Sequence, residues 1–106
     1  MVKVQAPVPG RVTTMLGSAE VASYYAEEAT KVLAPIQTFL EKNAIRHRCM
    51  SVVGRAVDEI IFAAKNEHAE IIVMGTHGHS WIGRALMGSI AQRVVTDSDI
   101  PVLLVK

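Results

Sequence analysis

The residues whose types and spacing could do chemistry lie together between positions 75 and 89, in the segment GTHGHSWIGRALMGS. Gly75 and Gly78 would let the backbone turn tightly and bring its amides near an anion with no Cβ in the way. Gly88 and Ser89 open a segment of helical character. The free N–H groups and dipole at such a start favour a phosphate, and the Ser89 hydroxyl adds a donor. The chemistry implied is therefore phosphate binding. Glycines also punctuate ordinary strand-to-helix connections, so a turn-making role for any one of them stands beside the binding one. Four glycines and a serine in this spacing favour binding.

Other candidates are weaker. His77 and His79, with His47, His68 and Cys49 elsewhere, raise a transition-metal site, but structural zinc takes four ligands and only two are local in sequence. No metal site is expected. Arg84 has two readings: a bidentate donor to a terminal phosphate, or an exposed charge. Trp81, Ile82, Leu86 and Met87 are apolar in a segment expected at the surface, as a lid or a contact with a partner. No nucleophile elbow, carboxylate pair or Cys/His dyad presents itself. Catalysis is unsupported by the sequence.

The elements that would hold this loop are legible on both sides of it. Residues 70–74 (EIIVM) form a continuous apolar run, expected to be a strand buried on both faces, as in a parallel sheet covered by helices. Residues 89–96 read as a helix with Ile90 and Val94 facing inward, and residues 100–105 (IPVLLV) as the last strand. The loop thus falls at the carboxyl end of a parallel strand, where ligands of open α/β sheets bind.

Upstream, residues 2–6 (VKVQA) read as a strand closed by a turn at Pro7, Val8, Pro9 and Gly10, with a loop continuing to Ser18. Ser18 is positioned to cap a long helix. Its stripe comprises Ala22, Tyr25, Ala26, Ala29, Val32, Leu33, Ile36, Phe39 and Leu40 and keeps its phase past Pro35, which predicts a kink rather than an end. Residues 45–53 (IRHRCMSVV) read as an edge strand, stopped by Gly54. Residues 55–66 read as a helix presenting Val57, Ile60, Ile61 and Ala64. Strands alternating with helices specify an α/β fold with a parallel sheet and right-handed crossovers.

The bulk numbers narrow the class. A chain of 106 residues with 50% apolar residues is expected to form one domain, and a domain of this size buries about two-thirds of its unfolded surface. No apolar run approaches the ~20 residues of a membrane span, so no membrane partner is expected. Eleven basic and ten acidic residues give a net charge of +1, without the basic stripe that nucleic acid requires. One cysteine excludes an internal disulfide. With no leader pattern at the N-terminus, the expected compartment is the cytoplasm.

The spacing Gly75-x2-Gly78-x9-Gly88-Ser89 resembles the G-x2-G-x9-G-[S/T] motif of the ATP-binding branch of the universal stress protein family. Residues 70–75 are similar to that family's fourth strand, residues 100–105 to its fifth, and residues 52–60 to its third strand and the following helix. The resemblance runs from about Val2 to Lys106. It implies a three-layer, Rossmann-like parallel sheet of the adenine nucleotide alpha-hydrolase type, and ATP, with or without Mg2+, as ligand. It implies phosphate contacts from Gly75, Gly78, Gly88, Ser89 and the Ile90 amide, Met74 and His77 in the nucleotide pocket, and Val4 beside the adenine.

The resemblance also implies an absence. Family domains begin with a strand and helix that have no counterpart here, and that strand ends in an acidic segment; this chain has no Asp before Asp58. In the family's order, 3-2-1-4-5, the missing strand is the central one. The expectation is an N-terminally truncated domain that forms a homodimer or higher oligomer, with exchanged elements or with pairing of Val102–Val105 across a two-fold axis. An alternative is a truncated member that has lost nucleotide binding and serves as a dimerising interaction domain.

Overall fold

A computed structural model of the chain describes residues 1–5, 14–15, 17–76 and 87–106. It is an α/β structure of parallel strands and helices, and it divides into two units, Met1–Arg55 and Ala56–Lys106. The four described strands lie in two two-stranded sheets. The turn expected at Pro7 to Gly10 falls outside the described residues.

In the first unit β1 (Val2–Gln5) and β2 (Met50–Val53) pair in parallel, with Val2 opposite Met50 and Gln5 opposite Val53. Residues 45–49 do not extend β2 as the sequence predicts. A ladder needs a partner, and β1 begins at the residue that faces Met50. The N-terminal ammonium instead donates to the Arg48 carbonyl at 2.7 Å, and the Met50 amide donates to Met1 at 3.0 Å.

The long helix α1 (Ser18–Lys42) connects the two strands and packs against β1. Its N-cap is Gly17 rather than Ser18. Gly17 adopts φ 84° and ψ 158°, a region open essentially to glycine alone, and its carbonyl accepts the Val21 amide at 3.2 Å. The helix runs through Pro35 without ending.

The face of α1 is covered only in part. Val21 and Leu33 are buried, but Phe39 is 60% exposed and Ile36 38%, and Ala22 and Ala26 are also exposed. Lengths explain this departure from the expected stripe: a helix of 25 residues spans about 37 Å, and a four-residue strand about 13 Å. The strand cannot cover the helix along its whole length.

The second unit follows the alternation read from the sequence more closely. It contains α2 (Ala56–Asn66), β3 (Ile72–Gly75), α3 (Ser89–Asp97) and β4 (Val102–Val105). β3 and β4 pair in parallel, Ile72 opposite Val102 and Gly75 opposite Val105. Val57 of α2, Ile72 of β3 and Val94 of α3 form the core, with Ile60, Ile61, Ala64, Met74, Ile100 and Val102 packed around them. Val94 is fully buried, a burial that contributes about 1.5–3 kcal/mol. Between α3 and β4, the Ser98 hydroxyl accepts the Ile100 amide at 2.9 Å and so fixes the turn that returns the chain to the sheet.

The second unit departs from the sequence expectation at two points. β3 is buried on one face only: Ile72 faces the helices, whereas Ile71 and Val73 are exposed. An uninterrupted apolar run does not reveal how many of its faces are covered. Ile90 does not face inward but is 44% exposed, and Ala91 at 3% takes the inner position beside Val94. Ile90 belongs to the opening turn of α3, at the end of the packed face.

Candidate anion-binding site

The site is built where β3 ends and α3 begins. The ladder carries β3 as far as Gly75, and one residue later the Thr76 amide donates to the Val105 carbonyl at 2.9 Å. The Thr76 carbonyl in turn accepts the Gly88 amide at 2.5 Å. The segment that leaves the sheet at Thr76 is thus tied to its own return point, and both ends of the loop are fixed by main-chain bonds.

Gly88 is the N-cap of α3, with φ −66° and ψ 157°, and no side chain caps the helix. Its carbonyl accepts the Gln92 amide at 3.0 Å. The amides of Ser89, Ile90 and Ala91 precede the first intrahelical bond and have no partner of that kind. No acidic residue lies in this turn, so its own residues do not offset the positive end of the helix dipole. Ser89 and Ile90 are exposed. The arrangement can accept an anion.

The part played by the glycines is narrower than the sequence implies. Among the described glycines only Gly17 has a positive φ. Gly75 is an extended strand residue and does not make a tight turn, and Gly88 has a β-region backbone that any residue tolerates. What both contribute is the lack of a side chain. The Gly88 amide is also bonded to Thr76, which leaves Ser89, Ile90 and Ala91 as the donors of the turn.

Of the residues singled out in the sequence, Met74, Gly75, Gly88, Ser89 and Ile90 all fall in the second unit, at the end of β3 and the start of α3. Val4 is half-buried in β1 of the first unit. His77, Gly78, His79, Trp81, Ile82, Gly83, Arg84 and Leu86 lie outside the described residues. Thr76, which joins the two ends of the loop, is marked by no pattern in the sequence.

Among the described residues no group of three or more His, Cys, Asp or Glu side chains is placed to hold a metal ion. His47 donates through Nδ1 to the Ile45 carbonyl at 2.8 Å, and Cys49 is a free, half-buried thiol. No described helix is long and apolar enough to cross a membrane.

Known proteins share this arrangement of strands and helices. The profile of the universal stress protein family matches residues 3–106. Universal stress protein MJ0577 of Methanocaldococcus jannaschii is 34% identical over 87 residues, covering 82% of this chain and 54% of that protein. A universal stress protein of Thermus aquaticus is 41% identical over 61 residues, 58% of this chain and 44% of that one. The chain therefore spans about half the length of the curated relatives it matches. The solved structure of hypothetical protein MJ0577 superposes with a TM-score of 0.82 at 30% identity, over 99% of this chain and 72% of that one. That of hypothetical protein PH0823 shares the fold, with a TM-score of 0.74 at 21% identity.

Proposed function

The chain belongs to the universal stress protein family, and we propose that within it this chain is a nucleotide-binding member, taking ATP with or without Mg2+. The observation that carries the reading is the opening turn of α3. Three amides without intrahelical partners, no capping side chain and no carboxylate stand at the end of the G-x2-G-x9-G-S spacing. Phosphate oxygens would be held by the amides of Ser89 and Ile90 and by the Ser89 hydroxyl. Gly75, Gly78 and Gly88 would admit the phosphates by having no side chain. Met74 and His77 would border the nucleoside. In this reading the nucleotide acts by biasing conformation or association in a stress response rather than by turnover.

Calorimetric titration with ATP and magnesium, on the wild type and on Gly88→Val, tests this. Valine favours the backbone angles that Gly88 already has, so the variant keeps its fold while its branched side chain obstructs the phosphates. We expect binding by the wild type and none by the variant. No heat with the wild type at millimolar ATP would overturn the reading.

A second reading, a dimerising interaction domain that has lost its nucleotide, draws on a different observation. Ile71, Val73, Leu103 and Val105 are each about half exposed or more, at 49%, 59%, 51% and 50%. They lie on the odd-numbered face of the second sheet, away from Ile72, Met74 and Val102. Both readings include a homodimer or higher oligomer, with Val102–Val105 as the strand to test. A cooperatively folded monomer in sedimentation at micromolar concentration would remove the association from either.

A further inference from the structure

The last strand contributes no side chain to the phosphate site, yet two consecutive backbone hydrogen bonds join it to that site. The Val105 carbonyl accepts the Thr76 amide at 2.9 Å, and the Thr76 carbonyl accepts the Gly88 amide at 2.5 Å. Thr76 is therefore clamped through both of its peptide units. One clamp refers to the end of β4, the other to the residue that opens α3. The α3 helix itself does not depend on this relay, because Ala91 and Val94 hold it against the core.

We infer that Val105 and Thr76 are positioning residues for phosphate. Their backbone relay sets where the loop base stands relative to the amides of Ser89 and Ile90, so the end of the last strand tunes anion affinity without touching the anion. The inference rests on the nucleotide reading above. The Val105 side chain is 50% exposed on the sheet face away from the helices, so its part in the relay is played by its carbonyl.

Gly88→Pro breaks the second bond. Proline's fixed φ, about −65°, matches the φ of −66° at Gly88, but its ring carbon takes the place of the N–H that meets the Thr76 carbonyl, so the substitution removes the bond and pushes the loop base away from the start of α3. Gly88→Ala adds a Cβ but keeps the N–H and is the reference for it. Deleting Val105 and Lys106 removes the first acceptor, and its reference is Val105→Ala, which keeps the carbonyl.

We expect Gly88→Pro to bind ATP with magnesium at least about fivefold more weakly than Gly88→Ala, and the deletion to fall in the same direction below Val105→Ala. Adenosine, which has no phosphate, should bind all four variants alike. Equal ATP affinities within both pairs would overturn the inference. So would a parallel loss of adenosine, which would reveal general loosening rather than positioning. If Gly88→Ala alone abolishes binding, the deletion and Val105→Ala decide. A wild type that binds no ATP would instead overturn the nucleotide reading, and this inference with it.

Discussion

Two helices of this protein start with the same dipeptide and differ in almost everything that follows from it. Gly17-Ser18 opens α1, and Gly88-Ser89 opens α3. Gly17 sits at φ 84°, and Glu20 lies in the first turn of its helix. Gly88 sits at φ −66°, with no acid in the turn and its amide tied to Thr76. The first helix start needs glycine for its backbone and supplies its own negative charge. The second does not need glycine for its backbone, and its opening amides, which have no intrahelical partner, face no charge from their own turn. A Gly-Ser pair before a helix is therefore not an anion site in itself. The charge in the first turn and the anchoring of the loop distinguish the two.

The largest effect that would sharpen this contrast is expected from the anchor of the second helix. Val94→Ala should cost about 2–3 kcal/mol of unfolding free energy, because a fully buried side chain loses two methyl groups and leaves a void. Chemical denaturation measures it. A loss below about half a kcal/mol, the size of an ordinary surface substitution, would mean that α3 is not held by this core, and its opening turn would not be the fixed feature described.

Next comes a direct exchange between the two glycines. Gly17→Ala should destabilise by about 1–2 kcal/mol through backbone strain alone, since a Cβ there would meet nothing within 4 Å. Gly88→Ala carries no such strain and should stay within a few tenths. Equal losses at the two positions, read from thermal unfolding, would break the comparison.

The smallest effect is electrostatic. Ile90→Glu gives α3 the first-turn carboxylate that α1 already has, and should stabilise the fold by about 0.3–1 kcal/mol at low salt. The same charge should weaken ATP binding by repulsion. Tighter nucleotide binding by this variant would contradict the placement of phosphate at the start of α3.

Much of the second unit is legible in the sequence. Val57, Ile60, Ile61 and Ala64 recur at helical spacing and do line the core, and the alternation of strand and helix defines the fold class. The departures share a cause, because each concerns something that a single segment does not carry. Residues 45–49 have the composition of a strand but no ladder partner among the described residues. Phe39 and Ile90 have the phase of a buried face but stand exposed, beyond the reach of the elements packed beside them. Thr76 is invisible for another reason: its part in the site is played by main-chain atoms, and every residue but proline has the same ones. The glycines point to the right segment and partly to the wrong property, since among those described only Gly17 uses its conformational freedom.

The register of the first sheet has a consequence for synthesis. Val2 pairs with Met50, so β1 is made nearly fifty residues before the strand it is bonded to. At a translation rate of about 5–20 residues per second that interval lasts roughly 2–10 s, while helix formation in α1 takes about a microsecond. The nascent chain therefore carries an unpaired strand for seconds before the first sheet can close, with α1 (Ser18–Lys42) completed only shortly before Met50 is added, and it is in that window that β1 is most open to pairing with the wrong neighbour.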